Sequence, residues 1–234
     1  MYFVRSYRDF GRTPTGLRSS SGAHAMIVAL LNQQGGVGKT TLALHLAGVW
    51  GCQKQRVAVI DADPDGCALE WSELRTQEAL PSRFTIIAIA RDTPHPIVAP
   101  DVDRAIIDGP SHIEAITRSE LMAADFVLVP VQPPPFQGLE FVETLRLANG
   151  MMTVRPQLRS RLALNRCNGC ASVTRGLTQV LAEYDPPALT SSITERAVFA
   201  DAMENGRLVF EMPYSVAAVH EITALAAEVE RIVP

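Results

Sequence analysis

Ten residues, Asn32-Gln33-Gln34-Gly35-Gly36-Val37-Gly38-Lys39-Thr40-Thr41, constrain this chain more than any other stretch. An apolar run, residues 26–31, precedes them and reads as a buried strand. After them, Leu42, Leu46 and Val49 fall at helical spacing. Strand, glycine-rich turn and helix form the setting in which such a turn cradles phosphates. Glycines at 35, 36 and 38 let successive backbone N–H groups converge where side chains would block the approach. The helix that follows adds partial positive charge at its N-terminus. Lys39 is spaced to reach the β- and γ-phosphates of a nucleotide, and Thr40 to place its hydroxyl on Mg²⁺. Residues Gly35, Gly36, Val37, Gly38, Lys39, Thr40 and Thr41 are therefore the expected nucleotide-binding set.

The remaining chain repeats the same alternation. Apolar runs at 56–61, 84–89, 104–108, 125–131 and 161–165 read as strands. Helical spacing resumes through Leu69–Leu74 and near 113–123, 139–148, 174–184, 195–205 and 216–232. Continuous apolar strands between helices predict an α/β fold with a parallel sheet covered on both faces, and with the phosphate loop a three-layer P-loop NTPase. Ligands of such sheets bind at the carboxyl ends of the strands. The acids Asp61, Asp63 and Asp108 all fall at such ends. Asp108, closing Ala105-Ile106-Ile107 and followed by Gly109-Pro110, suits a carboxylate that holds Mg²⁺ through water. Asp61 and Asp63 can serve the metal's water shell or cap the helix beginning near Cys67.

The loop departs from the plain spacing, since Gln33 stands where the first glycine belongs. With the paired glycines at 35 and 36 it resembles the deviant phosphate loop of the ParA/MinD ATPases, and the short ParF-like partition proteins in particular. Asp61-Ala62-Asp63-Pro64, Ile106-Ile107-Asp108-Gly109-Pro110, the Val127–Pro133 segment and Ile193–Arg196 are similar to that family too, so the resemblance spans about residues 26–231. It implies binding of ATP and ADP with Mg²⁺ and a catalytic set of Lys39, Asp63 and the residue at 34. Asp63 would orient the attacking water, with Asp61, Thr40 and Asp108 around the metal. Asn165, ending a strand, would read the adenine edge, and backbone near Pro213 is a second candidate for the base pocket. The family switch implies a homodimer that closes on ATP, binds DNA nonspecifically and hydrolyses ATP when a ParB-like partner arrives. Gln34 replaces the family's signature lysine, which reaches across the dimer, so weak dimerisation and slow hydrolysis are expected. A cation at that place contributes up to ~4 kcal/mol at a surface-like dielectric.

Charge and composition set the limits on partners. The chain has 234 residues, is 47% hydrophobic and carries a net charge of −4, which gives no general attraction to nucleic acid. Residues 1–25 carry +3 and read as a flexible basic tail ahead of an ATPase domain at 26–234. An arginine run without acids, together with a later helix, nominates Arg155, Arg159, Arg161, Arg175, Arg196 and Arg207 as DNA contacts. No apolar run is long enough to span a membrane, and Glu221, Glu228 and Glu230 argue against a basic membrane-binding helix at the end. Four cysteines, too few for a disulfide scaffold, fit a reduced, cytoplasmic protein, and the resemblance implies one working near the nucleoid. Cys167 and Cys170 raise an alternative, an iron–sulfur carrier bridging a cluster between two copies. A relative that positions a cargo other than DNA is the other alternative.

Overall fold

The computed structural model describes residues 25–88, 102–111, 121–133, 139–167, 171–181 and 184–233. The basic tail, the proline-rich stretch 91–100, most of the expected helix at 113–123 and Cys170 lie outside them. Seven parallel strands make one sheet: β1 (Met26–Leu30), β2 (Val57–Asp61), β3 (Thr85–Ala88), β4 (Arg104–Asp108), β5 (Phe126–Val131), β6 (Arg159–Cys167) and β7 (Ala188–Thr194). Their spatial order is β3-β2-β4-β1-β5-β6-β7. Helices α1 (Lys39–Cys52), α2 (Cys67–Gln77), α3 (Leu139–Val154), α4 (Ala171–Leu181), α5 (Ala197–Glu204) and α6 (Val216–Ile232) complete the layers.

Strand alternation explains the two cores. Met26, Val28 and Leu30 of β1 face one side, where they pack with α1, α5 and α6. Ile27, Ala29 and Leu31 face the other, against Val127, Val129, Leu162 and the α3 residue Phe141. Both faces are buried, which is why every residue of β1, β2 and β5 is apolar or capped by an acid at its end. Helix α1 is buried from Leu42 to Trp50 because it is enclosed by the sheet, α2 and α6. Gly48 lets the chain at 208–210 press onto it; a Cβ there would sit 2.6 Å from Leu208 and 2.7 Å from Phe210.

Strand β1 lies between β4 and β5, and the chain leaves it in one direction towards β2 and later in the other towards β5. That reversal opens the crevice used by ligands of open α/β sheets. Register brings Leu30 and Asp61 each opposite Asp108, so the phosphate loop and both strand-end acids meet at one edge.

One strand was not legible in the sequence. Residues 188–194 form β7, although Thr190-Ser191-Ser192 breaks the apolar run. This outer strand is secured from α6. Glu228 accepts the N–H of Thr190 at 2.8 Å and of Ser191 at 2.7 Å, and Glu221 accepts the N–H of Thr194 at 3.0 Å. Glu221 also takes Arg196 at 2.8 Å. The glutamates of the last helix therefore do internal work, and their count says little about what the helix surface attracts. Among the described residues no helix is long and apolar enough to cross a membrane.

Candidate nucleotide site

Gly38 ends the loop with φ +92°, a left-handed conformation that a side chain strains, and α1 begins at Lys39. The loop is bound to its scaffold by side chains the sequence did not single out. Asn32 donates to Pro130 O at 2.8 Å and accepts the N–H of Gln34 at 2.8 Å. Thr144 of α3 accepts the N–H of Gln33 at 2.9 Å. Gln132, just past β5, donates to Gly36 O at 3.0 Å. Each side chain comes from a different element, so the loop is held before any ligand arrives.

Lys39 is 6% exposed, and its ammonium donates to Asn32 O at 3.0 Å and Ser111 Oγ at 2.8 Å. Asp108 is fully buried, and among the described residues neither carboxylate oxygen meets full hydrogen-bond geometry; the Thr40 hydroxyl is the group that approaches it. Burial pushes its carboxyl up to about 7; the Thr40 hydroxyl and Lys39 pull down while Asp61 and Asp63 push further up. A buried carboxylate beside a hydroxyl is the donor set that a hard divalent cation satisfies. Among the described residues no group of three His, Cys, Asp or Glu side chains forms a metal cage. Mg²⁺ fits this arrangement, because it binds through one or two protein oxygens with phosphates and water completing the shell.

Asp61 also anchors the backbone that leads into α2. Its oxygens accept the N–H of Leu69 at 2.9 Å and of Asp63 at 3.3 Å, so it caps the start of α2. Burial raises its pKa and those N–H groups oppose the rise. Asp63 is half-buried at the rim, with one oxygen accepting the N–H of Asp65 at 3.0 Å. Cys67 stands beside the same acids; burial and their charges push its thiol up.

Asn165 is buried and donates to Val37 O at 2.7 Å. Pro213 lies on an exposed loop between the 3-10 turn Val209–Glu211 and α6. Gln34 is exposed, and its carbonyl lies 3.4 Å from the Lys39 ammonium. Thr41 uses its carbonyl to hold His45, whose Nδ1 lies 2.7 Å away.

The arginines divide. Arg155 donates to the carbonyls of Leu121, Met122 and Ala124 at 2.7–2.9 Å, and Arg196 is paired with Glu221. Arg161 bonds Ser160 O at 2.7 Å. Arg159 and Arg175 have exposed side chains, and Arg207 is half-buried. Cys167 is 1% exposed in the core, where burial raises its pKa, so it is placed as a packing thiol.

Known proteins with this architecture carry nucleotides. The structure of an aspartate-to-alanine variant of McdA from Cyanothece in complex with ATP superposes with TM-score 0.66 at 17% identity, over 91% of this chain and 99% of that one. A plasmid partition protein of Borrelia burgdorferi bound to AMPPNP gives 0.65 at 15% identity, over 89% and 98%. In sequence, the maintenance of carboxysome distribution protein A of Halothiobacillus neapolitanus is 29% identical over 195 residues, 80% of this chain and 88% of that protein. The chromosome-partitioning ATPase Soj of Thermus thermophilus is 26% identical, over 86% and 94%. The model of the CobQ/CobB/MinD/ParA nucleotide binding domain matches residues 28–209, more than half of the chain. With its loop, strand order and buried strand-end acid, the chain belongs to the ParA/MinD family of phosphate-loop ATPases.

Proposed function

We propose that this protein is a Mg²⁺-dependent ATPase that acts as a dimerising switch to position a cargo, with plasmid or chromosomal DNA as the cargo read first. The observation that carries the reading is Asp108: a buried carboxylate that only the Thr40 hydroxyl approaches among the described residues, at the foot of a preformed phosphate loop. Backbone N–H groups of residues 35–41 receive the phosphates. Lys39 exchanges Ser111 and Asn32 for the β- and γ-phosphates. Thr40 and, through water, Asp108 would hold Mg²⁺, which would supply charge neutralisation for the phosphoryl oxygens. Asp63 at the rim orients the attacking water; phosphoryl transfer asks mainly for such positioning. Two ATP-bound copies close on each other, hold DNA nonspecifically over the nucleoid and release it when a ParB-like partner stimulates hydrolysis.

A second reading keeps the switch and replaces the cargo. The relative from Halothiobacillus neapolitanus, matched over 88% of its length, maintains carboxysome distribution, which favours a protein-built body as cargo. The iron–sulfur alternative has no such support, because Cys167 is buried and Cys170 lies outside the described residues.

ATP binding and hydrolysis with and without Mg²⁺, beside Lys39→Ala, Asp63→Ala and Asp108→Asn, test the reading. Lys39→Ala should abolish binding, Asp108→Asn should remove the Mg²⁺ dependence, and Asp63→Ala should bind without turning over. A wild-type protein that binds no ATP in Mg²⁺ would end it. ATP-dependent retention on plain DNA separates the cargo readings.

A further inference from the structure

Asn165 sits at the carboxyl end of β6, 5% exposed, and its amide reaches the phosphate loop rather than open crevice. Its Nδ2 donates to Val37 O at 2.7 Å. A Cβ built on Gly38 would fall 2.4 Å from the same nitrogen, so the amide fills the space that any side chain at 38 needs. The absence of a side chain at 38 is thus required twice, by φ +92° and by Asn165.

The bond has a directional consequence. Val37 C=O and Gly38 N–H belong to one planar trans peptide unit and point in opposite directions. Fixing the carbonyl on Asn165 therefore fixes the direction of the Gly38 N–H as well. Glycine at 38 leaves this peptide free to flip, since its backbone tolerates either sign of φ. A buried side-chain donor removes that freedom. Gln132 treats the preceding peptide alike through Gly36 O, from a more exposed position.

We propose that Asn165 is a positioning residue for phosphate binding: it locks the Val37–Gly38 peptide so that Gly38 N–H is presented to the nucleotide's phosphates. This rests on the nucleotide reading above. Base selection would make Asn165 matter for ATP alone. Peptide locking makes it matter for anything that carries the phosphates.

The test compares wild type with Asn165→Leu, close in size and without a donor, for binding of Mg·ATP, Mg·GTP and Mg·tripolyphosphate. Asn165→Ser, whose hydroxyl cannot span to Val37 O, serves if the leucine variant does not fold. The expected result is a similar loss for all three ligands, about tenfold, the scale of one hydrogen bond. Faster deuterium exchange at Gly38 and little change at distant core amides should accompany it. A loss confined to ATP, or no loss for any ligand, overturns the proposal while leaving the ATPase reading intact. A wild-type protein that binds none of the three removes both.

Discussion

The Lys39 ammonium donates to the Ser111 hydroxyl at 2.8 Å, joining the loop lysine to the chain just past the acid strand β4. In the nucleotide-free protein this contact and Asn32 O satisfy a buried charge. In the proposed mechanism nucleotide binding replaces both. Ser111→Ala should therefore lower the melting temperature of the free protein, by the equivalent of about 1–2 kcal/mol, more than that of the ATP complex. Thermal unfolding with and without Mg·ATP measures the difference. Equal shifts in both states would show that the contact is incidental.

Gln34 stands exposed at the point where the family's second lysine belongs. Gln34→Lys should raise ATP-dependent dimerisation and hydrolysis by tenfold or more, because a charge replaces a neutral amide near phosphate. Light scattering and phosphate release follow the two effects. Unchanged behaviour would mean that coupling across the dimer uses another cation.

His45 supplies a pH dependence of stability. It is fully buried; burial lowers its pKa to about 4, against the Thr41 carbonyl, which raises it. Its Nε2 accepts the Val209 N–H at 3.1 Å, so the neutral ring links α1 to the turn at 209. A histidine held neutral in the fold and titrating near 6.5 when unfolded gives stability that is complete above pH 6.5. That stability drains away as pH falls towards 4, to a total on the order of 3 kcal/mol. Chemical denaturation between pH 7 and 4.5 should show the fall, and His45→Gln should flatten it.

Glu221 and Glu228 act in the same direction at lower pH. Burial raises their pKa, but Arg196 for the first, and Ser191 with Thr190 for the second, outweigh it and leave both lowered. Their contribution is present above the usual glutamate range and disappears as pH falls through the lowered values. Glu228→Gln should loosen β7 first, seen as faster amide exchange at Thr190 and Ser191.

Among the arginines, charge reversal at Arg159 or Arg175 should weaken DNA retention without altering the fold. Arg155→Ala should destabilise by about 1–3 kcal/mol, since it strips the carbonyls of Leu121, Met122 and Ala124 of a charged donor. Gel retardation beside thermal unfolding separates the two groups. DNA binding lost equally with Arg155→Ala and Arg159→Glu would blur them.

The loop and strand-end acids were legible because their chemistry depends on local spacing: glycines before a lysine, acids after apolar runs. Asn32, Thr144, Gln132 and Ser111 were not, since an asparagine or threonine advertises nothing until folding sets it beside a backbone group over 100 residues away, as with Thr144 and Gln33. Asp61 shows the converse limit. Two acids in one short motif look equivalent, and only the position of α2 reveals that one of them also bonds the start of that helix. Strand β7 escaped because its polar residues meet partners on α6 instead of water.

Those glutamates also decide how copies of the protein can associate. A strand at the rim of a sheet ordinarily offers its amides to any passing chain. Here the amides of Thr190, Ser191 and Thr194 are already taken by side chains of the same molecule. A chain that came to pair along that flank would have to displace carboxylates held on the same molecule, so β7 is a poor template for adding another strand.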